Sequence, residues 1–338
     1  VTALVTGASG HVGGVLVRTL LQRGRSVRAL VHRSSAALDG LEGELELIEG
    51  DVLDRECMDR ACAGVGTVFH LAAVISIVGD PDGQVAAVNV RGPRNVAEAA
   101  LAAGVRRMVH VSSVHAFDIN SPAEQIDEQS ARVAASAPAY DRSKDAGEEQ
   151  VREVMARGLD AVILNPGGVL GPYDFMPSRM GTFLLQLAGR SLPGLVQGGF
   201  NWVDVRDLVA SIVIAEERGR RAENYLVTGP WCSMSEVAAQ AAAITGVPAP
   251  GFTVPLWLAA LAAPGMTLWA KLIGSEPLYT REALHAVAAC RNVSWQKAAA
   301  QLGHSPRPLH STLLDAYRWF DGRGLLELPD AVAGDVRL

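Results

Sequence analysis

Tyr140 and Lys144, in the run Ala139-Tyr-Asp-Arg-Ser-Lys144, have the types and spacing needed for proton transfer. Four residues apart on a helix, their side chains share a face, one turn above the other. An ammonium beside a phenol favours the phenolate, so the tyrosine pKa is expected to fall from about 10 toward neutral pH. A phenol so placed can act as general acid or base. Alone, such a pair also fits a solvated helix face. What singles it out is the run Thr6-Gly-Ala-Ser-Gly-His-Val-Gly13, where Gly7, Gly10 and Gly13 lie between an apolar strand pattern and a helical one. Glycines permit the tight turn, let backbone amides approach a pyrophosphate, and let helix and strand pack closely. The helix start adds partial positive charge and free N–H donors. An ordinary glycine-rich turn is the other reading, and the strand before and helix after argue against it.

The elements that must position these groups follow from hydrophobic periodicity. Short apolar runs at Ala3–Val5, Ser26–Val31, Leu45–Glu49, Thr67–Leu71, Arg107–Ser112 and Asp160–Asn165 read as six strands. Helical patterns across Val12–Arg23, Arg55–Ala63, Val85–Gly104 and Tyr140–Gly158 separate them. Alternation of this kind predicts an α/β fold, a doubly wound parallel sheet with crossover helices. After Pro166 the texture changes, and Gly, Pro and aromatic residues crowd positions 166 to 202, as in loops around a ligand. Ala210–Ile214 and Tyr225–Thr228 suggest a return to the sheet, and from Ser233 the chain reads as mostly helical. The expected division is a dinucleotide-binding domain over 1–165, its sheet completed by parts of 200–230, and an interleaved, mainly helical substrate lobe over 166–338.

Composition excludes several classes. The chain has 338 residues, 49% hydrophobic and 20% charged, which fits a globular protein with a substantial core. A net charge of −6 gives no attraction to nucleic acid or anionic membranes. Cys57, Cys62, Cys232 and Cys290 show neither metal-ligand spacing nor a disulfide framework, so reduced thiols in a cytoplasmic protein are expected. The eight histidines are dispersed, giving no support to a zinc site. The first residues read as a strand rather than a targeting segment. Gly251–Ala270 carries no charge, but Pro255, Pro264 and Gly265 interrupt it. A soluble apolar helical cap is expected there, with an interfacial segment at a lipid surface as the alternative.

The motifs together resemble the extended branch of the short-chain dehydrogenase/reductase superfamily, over essentially the whole length. The resemblance rests on Thr6–Gly13, Asp51-Val-Leu-Asp54, His70-Leu-Ala-Ala73, Asn89-Val-Arg-Gly92, Val111-Ser-Ser113, Tyr140–Lys144 and Asn165–Pro172. Within that branch, Asn165-Pro-Gly-Gly-Val-Leu-Gly-Pro172, Trp202-Val-Asp-Val-Arg-Asp207 and the tail containing Leu302-Gly-His-Ser-Pro-Arg-Pro-Leu309 are similar to the dihydroflavonol reductase-like group. The resemblance implies a Rossmann fold and a nicotinamide cofactor held by Gly7, Ser9, Gly10, His11, Val12 and Gly13. It also implies Asp51 and Val52 beside the adenine, and Leu71, Ala72, Ala73 and Asn89 along the nucleotide. Pro166, Gly167 and Val169 would flank the nicotinamide. Asp51 also fits a simple turn after Gly50, and Asn89 a helix cap.

The second strand ends Val31-His-Arg-Ser-Ser35, with no acid until Asp39. An acid there would bind the ribose hydroxyl of NAD, whereas Arg33, with Ser34 and Ser35, suits the 2′-phosphate of NADP(H). His32 stands where related reductases usually carry arginine, and a solvated role for Arg33 stays open. By resemblance Ser113 hydrogen-bonds the substrate oxygen, with Ser112 as the register alternative. Lys144 then binds the nicotinamide ribose, and Asn89 holds a water that relays protons. Ser76, Ser113, His115, Tyr140, Met176 and Trp202 are the candidate substrate contacts, although lobe packing would explain several of them equally. His115 is either a second acid or a structural histidine.

The expected activity is interconversion of a ketone or aldehyde and an alcohol, on a neutral, partly hydrophobic substrate. Epimerases and dehydratases of the same branch commonly place an arginine just before the segment matching Trp202-Val203-Asp204, to hold a diphosphate. Phe200 and Asn201 occupy those positions here, which disfavours that alternative, although Arg179, Arg190 and Arg206 lie near. A nicotinamide-sensing protein without turnover is the third reading, and retention of the Tyr–Lys pair speaks against it. A homodimer, where it forms, would use Val85–Gly104 and Tyr140–Gly158.

Overall fold

The computed structural model describes residues 2–32, 34–121, 124–272, 280–288 and 292–336. Six strands of the first half are β1 (Ala3–Thr6), β2 (Val27–Val31), β3 (Leu45–Glu49), β4 (Thr67–His70), β5 (Arg107–Val111) and β6 (Ala161–Pro166). After them come β7 (Gly168–Leu170), β8 (Leu195–Val196), β9 (Gly199–Asp204), β10 (Asn224–Val227), β11 (Trp231–Ser233) and β12 (Thr253–Val254). The main sheet has seven strands in the order β10-β6-β5-β4-β1-β2-β3. Every pairing in it is parallel, with Ala3 opposite both Val27 and Thr67. This is the doubly wound Rossmann arrangement expected from the sequence, in which ligands gather at strand C-terminal ends.

Strand alternation feeds two cores. Ala3 and Val5 face the helices His11–Gln22 and Val205–Arg218, joining Val15, Leu16, Leu208 and Ile212. Leu4 faces the other side, with Met58, Val96, Val151 and Ile163. Both faces of the sheet are covered, as parallel sheets require. A third core unites Leu184, Trp202, Val237, Tyr317 and Phe320 in the helical lobe.

Three expectations are corrected. Ala210–Ile214 does not enter the sheet but lies within the helix Val205–Arg218. Its apolar residues recur at helical spacing, and the Asp204 carboxylate caps the start by accepting from the Arg206 amide at 2.8 Å. Tyr225–Val227, by contrast, is strand β10 at the sheet edge. The long helix expected over Val85–Gly104 is broken: Gln84–Ala86 runs into a wide π turn, Ala87–Arg91, before the helix Gly92–Ala102. Such turns cluster at functional sites, and this one carries Asn89 on its inner side, 3% exposed. In the apolar segment, a helix spans Leu256–Leu272, continuing through Pro264 and Gly265 where interruption was expected. Ala259 and Ala263 bury against Val196 and Leu284, while Trp257 and Leu261 are 67% and 72% exposed. Among the described residues no helix is long and apolar enough to cross a membrane. Nor does any group of His, Cys, Asp or Glu among them suit a metal ion. Cys57 and Cys62 share the helix Arg55–Cys62 and are buried free thiols, whereas Cys290 lies outside the described residues.

Candidate active site

The glycine loop joins β1 to the helix His11–Gln22 and is defined by what it cannot hold. Gly7 has φ of 68°, and a Cβ there would lie 2.7 Å from the Ala72 amide nitrogen. A Cβ on Gly13 would lie 2.0 Å from the Gly7 carbonyl oxygen. The helix starts at Gly10 without a capping side chain, so its first amides keep their donors for a ligand. These features fit a dinucleotide pyrophosphate. The His11 imidazole donates through Nε2 to the Pro172 carbonyl at 2.9 Å, tying the loop to the segment after β6. Thr6 Oγ1 accepts from the Leu71 and Ala72 amides and lies 2.7 Å from His70 Nδ1, bracing the loop ends together.

At the adenosine end, Asp51 accepts from the Leu53 amide at 2.9 Å, and its other oxygen lies 3.6 Å from His32 Nε2. Val52 is buried beneath Gly92. Arg33 lies outside the described residues. Gly167, after β6, is pressed against β9: a Cβ would lie 2.2 Å from the Asn201 carbonyl. Pro166 and Val169 flank it.

The candidate reacting groups converge from β5 and the helix Ala139–Ala156. Ser113 follows β5, accepts from the His115 amide at 3.2 Å, and its side chain hydrogen-bonds that of Tyr140. Ser112 has a buried hydroxyl with no partner among the described residues. Of the two serines, Ser113 is the one whose side chain acts on the phenol. Lys144 is 5% exposed, and its Nζ reaches the Val111 carbonyl at 3.5 Å, the long limit of a hydrogen bond.

The electrostatics depart from expectation. Desolvation pushes the Tyr140 phenol up to about 12, against the pull of the Ser113 hydrogen bond and helped by the charge of Asp141. Burial lowers Lys144 from 10.5 to about 8, opposed by Glu148. The expected lowering of Tyr140 by Lys144 is not found: burial is the largest cause at both groups, and Lys144 is not among the groups that shift Tyr140. Beneath them His70 and His110 stack with centroids 5.2 Å apart, and burial holds both well below the ordinary imidazole value, His70 to about 3.

Asn89 is not a cap. Its Oδ1 accepts from the Val74 amide at 2.8 Å, while Nδ2 donates to the Val74 carbonyl and to Ser143 Oγ at 3.0 Å. It clamps the chain after β4 to the Tyr140 helix. Gly147 lets that helix approach so closely that a Cβ would lie 2.2 Å from the Asn89 carbonyl. Of the expected substrate contacts, His115 stands edge-on to Tyr140 with ring centroids 5.7 Å apart. Ser76 spends its hydroxyl on the Gly79 carbonyl at 2.6 Å. Met176 is 54% exposed. Trp202, expected at a pocket, is instead 3% exposed in the lobe core, its indole donating to the Cys232 carbonyl.

Two contributors had no motif to announce them. Glu148, fully buried one turn beyond Lys144, accepts from Arg132, Asn165 and Asn224 at 2.7, 2.6 and 2.9 Å. It locks the helix to β6 and β10. Asp141 is 3% exposed next to the phenol, and His115 Nδ1 lies 2.9 Å from its Oδ1. Asp141 was visible in the Tyr–Lys run, but only the fold shows it turned inward.

Residues 3–228 match the NAD dependent epimerase/dehydratase family. Over 96% of its length the chain is 35% identical to sterol demethylase protein B of Methylococcus capsulatus, covering all of that protein. It is 32% identical to a putative dihydroflavonol 4-reductase of Synechocystis sp., over 96% of this chain and 95% of that one. The crystal structure of gox2253 superposes with a TM-score of 0.83 at 32% identity, over 96% of this chain and 99% of that one. The protein belongs to the NAD dependent epimerase/dehydratase family, within the extended short-chain dehydrogenases/reductases.

Proposed function

We propose that the protein is an NADP(H)-preferring oxidoreductase that reduces a ketone or aldehyde to an alcohol, and runs the reverse reaction at higher pH. The single observation that carries this reading is the hydrogen-bonded Ser113–Tyr140 pair at the end of β5, beside a glycine cradle shaped for a dinucleotide. A nicotinamide held there would supply or take up the hydride. Ser113 steadies the carbonyl oxygen as charge builds on it. Tyr140 gives that oxygen its proton as the C=O π pair moves onto it. A phenol held near 12 is protonated throughout the neutral range, which favours the reduction direction. Lys144 would hold the nicotinamide ribose and Pro166, Gly167 and Val169 would leave room for the ring, while Asn89 keeps the Tyr140 helix in place. Preference for NADP(H) rests on the absence of an acid from His32 to Leu38 and on Arg33, Ser34 and Ser35.

A neutral substrate is supported by the state of Arg206, the nearby arginine that follows the Trp202–Asp204 segment. Arg206 is 9% exposed at its side chain and is held by Asp204 at 2.9 Å and Asp315 at 2.7 Å, so it is committed inside the protein. Phe200 and Asn201 offer no charge in its place. The relatives named as reductases agree with this reading of the chemistry. The test is purified protein with NADPH or NADH and a panel of hydrophobic ketones and aldehydes, following loss of the reduced cofactor. Faster loss with NADPH is expected, and faster loss with NADH would overturn the cofactor preference.

A further inference from the structure

Ser113 sits where the sheet stops holding the chain. Along β5 and β6 the parallel ladder runs up to the Ser112 amide, which donates to the Leu164 carbonyl at 2.7 Å. The next bond in that register would come from the Pro166 nitrogen, which carries no proton. Ser113 therefore lies beyond the last ladder bond between the two strands. Its carbonyl accepts from the Ala116 amide at 3.1 Å, which closes the local turn, and from a side chain, Asn165 Nδ2, at 2.8 Å. Asn165 stands directly before Pro166. The proline ends the ladder, and the asparagine beside it supplies a donor that the proline lacks.

The Asn165 carboxamide is completely buried and has three partners. Besides the Ser113 carbonyl, Nδ2 donates to Glu148 Oε1 at 2.6 Å, and Oδ1 accepts from Asn224 Nδ2 at 2.7 Å. Two acceptors at one end and a donor at the other leave the amide a single orientation. Glu148 is fully buried as well, and it stands on the helix of Tyr140 and Lys144, at i, i+4 and i+8 along one face. Its other oxygen accepts from Arg132 and Asn224 at 2.7 and 2.9 Å. The Asn165 carboxamide is thus a bridge of fixed length between the Ser113 backbone and the Tyr140 helix. Those are the two parts that must stay in register for the serine and tyrosine side chains to meet.

We propose that Asn165 is a positioning residue for Ser113, setting where the serine hydroxyl stands relative to the phenol and to the carbonyl oxygen being reduced. The proposal rests on Ser113 steadying that oxygen in the proposed reduction. The position asks for two donated protons and one accepted, which a carboxamide supplies and its near relatives do not. An ionised aspartate there has no proton for the Ser113 carbonyl and would face the Glu148 charge at close range. A serine has one proton, and the charged acceptor, Glu148, takes it in preference to the neutral carbonyl. An apolar side chain satisfies neither and leaves a buried carboxylate oxygen short of a donor.

Two variants separate the bridge from the fold. Asn165→Ser keeps a donor on Glu148 and gives up the Ser113 carbonyl, whereas Asn165→Ala gives up both. Where Asn165→Ala does not fold, Asn165→Ser decides. Crystal structures beside the parent are expected to show the Ser113 hydroxyl out of hydrogen-bond reach of the Tyr140 phenol, with the glycine loop unchanged. With NADPH and a hydrophobic ketone, kcat of Asn165→Ser should fall on the order of 100-fold, as misplacement by about an ångström costs. KM for the ketone and NADPH affinity should stay close to the parent's, a split that general loosening of the fold would not give. Because Asn165 acts through Ser113, Asn165→Ser should lower kcat no further in a Ser113→Ala background. An unmoved Ser113 hydroxyl or an unchanged kcat in Asn165→Ser, or an equal fall in the Ser113→Ala background, overturns the proposal. The crystal structures need no turnover. A displaced Ser113 in a protein that reduces no carbonyl compound would uphold the bridge and sink the proposed reduction.

Discussion

The cradle at Gly7–Gly13 and the reacting centre at Ser113–Tyr140 sit at the same edge of the sheet and are built on opposite principles. In the cradle the decisive feature is missing side chain, with a Cβ on Gly13 falling 2.0 Å from a carbonyl oxygen. At the reacting centre everything depends on which side chains surround two polar groups removed from water. Backbone geometry of the first kind is intolerant and local. Electrostatics of the second kind are adjustable and drawn partly from distant segments: Asp141 and Glu148 lie on the Tyr140 helix itself, while His115 and His285 approach Asp141 from the turn after β5 and from the lobe. In the proposed function, one region sets whether a cofactor binds, and the other sets how the proton moves.

The largest effect should come from breaking the first region. Gly13→Val cannot be relieved by rotating a flexible side chain, because the obstacle is backbone, so NADPH binding measured by cofactor fluorescence should weaken by roughly 100-fold or more. Next in size, Tyr140→Phe leaves the cradle intact. Turnover should fall on the order of 10³-fold with cofactor affinity unchanged, as loss of a general acid predicts. Loss of both together would erase the distinction between the regions.

The same contrast explains what could be read in advance. Glycine spacing, strand periodicity and the Tyr–Lys run are local patterns, and from them the parallel sheet, the loop and the helix under Tyr140 were legible to within a residue or two. The π turn at Ala87–Arg91 was not, because a helical pattern does not record one extra residue in a turn. The apolar stretch Ala210–Ile214 was misplaced because short apolar runs suit either element until length and capping decide. The raised Tyr140 and lowered Lys144 could not be read at all, since desolvation depends on how chain far away closes over them. His285 carries no motif, and only the fold brings it to Asp141.

Two smaller predictions sharpen the electrostatic side. Lys144 is held at about 8 against 10.5 in water, so the folded protein binds fewer protons than the unfolded chain between those values. Stability from this group therefore rises with pH across that window, and its full cost is present below about 8. Without cofactor, Lys144→Met should be more stable than the parent at neutral pH by at most about 3 kcal/mol. Chemical denaturation at a series of pH values should show that gap closing toward 10.5. The smallest effect concerns the stacked imidazoles. His70 and His110 are buried neutral, so their contribution is complete above 6.5 and is lost as pH falls toward 3 for His70. His110→Phe removes one of the two and should make acid unfolding, followed by circular dichroism, shallower over that window.

In the proposed reduction, Tyr140 delivers a proton to a carbonyl oxygen that Ser113 steadies. The most direct measurement compares the parent protein, Ser113→Ala and Tyr140→Phe for NADPH oxidation with hydrophobic ketones and aldehydes, with a nucleotide sugar run in parallel. Carbonyl-dependent loss of NADPH in the parent, a large fall in both variants, and no conversion of the sugar are expected. Conversion of the nucleotide sugar with no carbonyl-dependent oxidation of NADPH would contradict it.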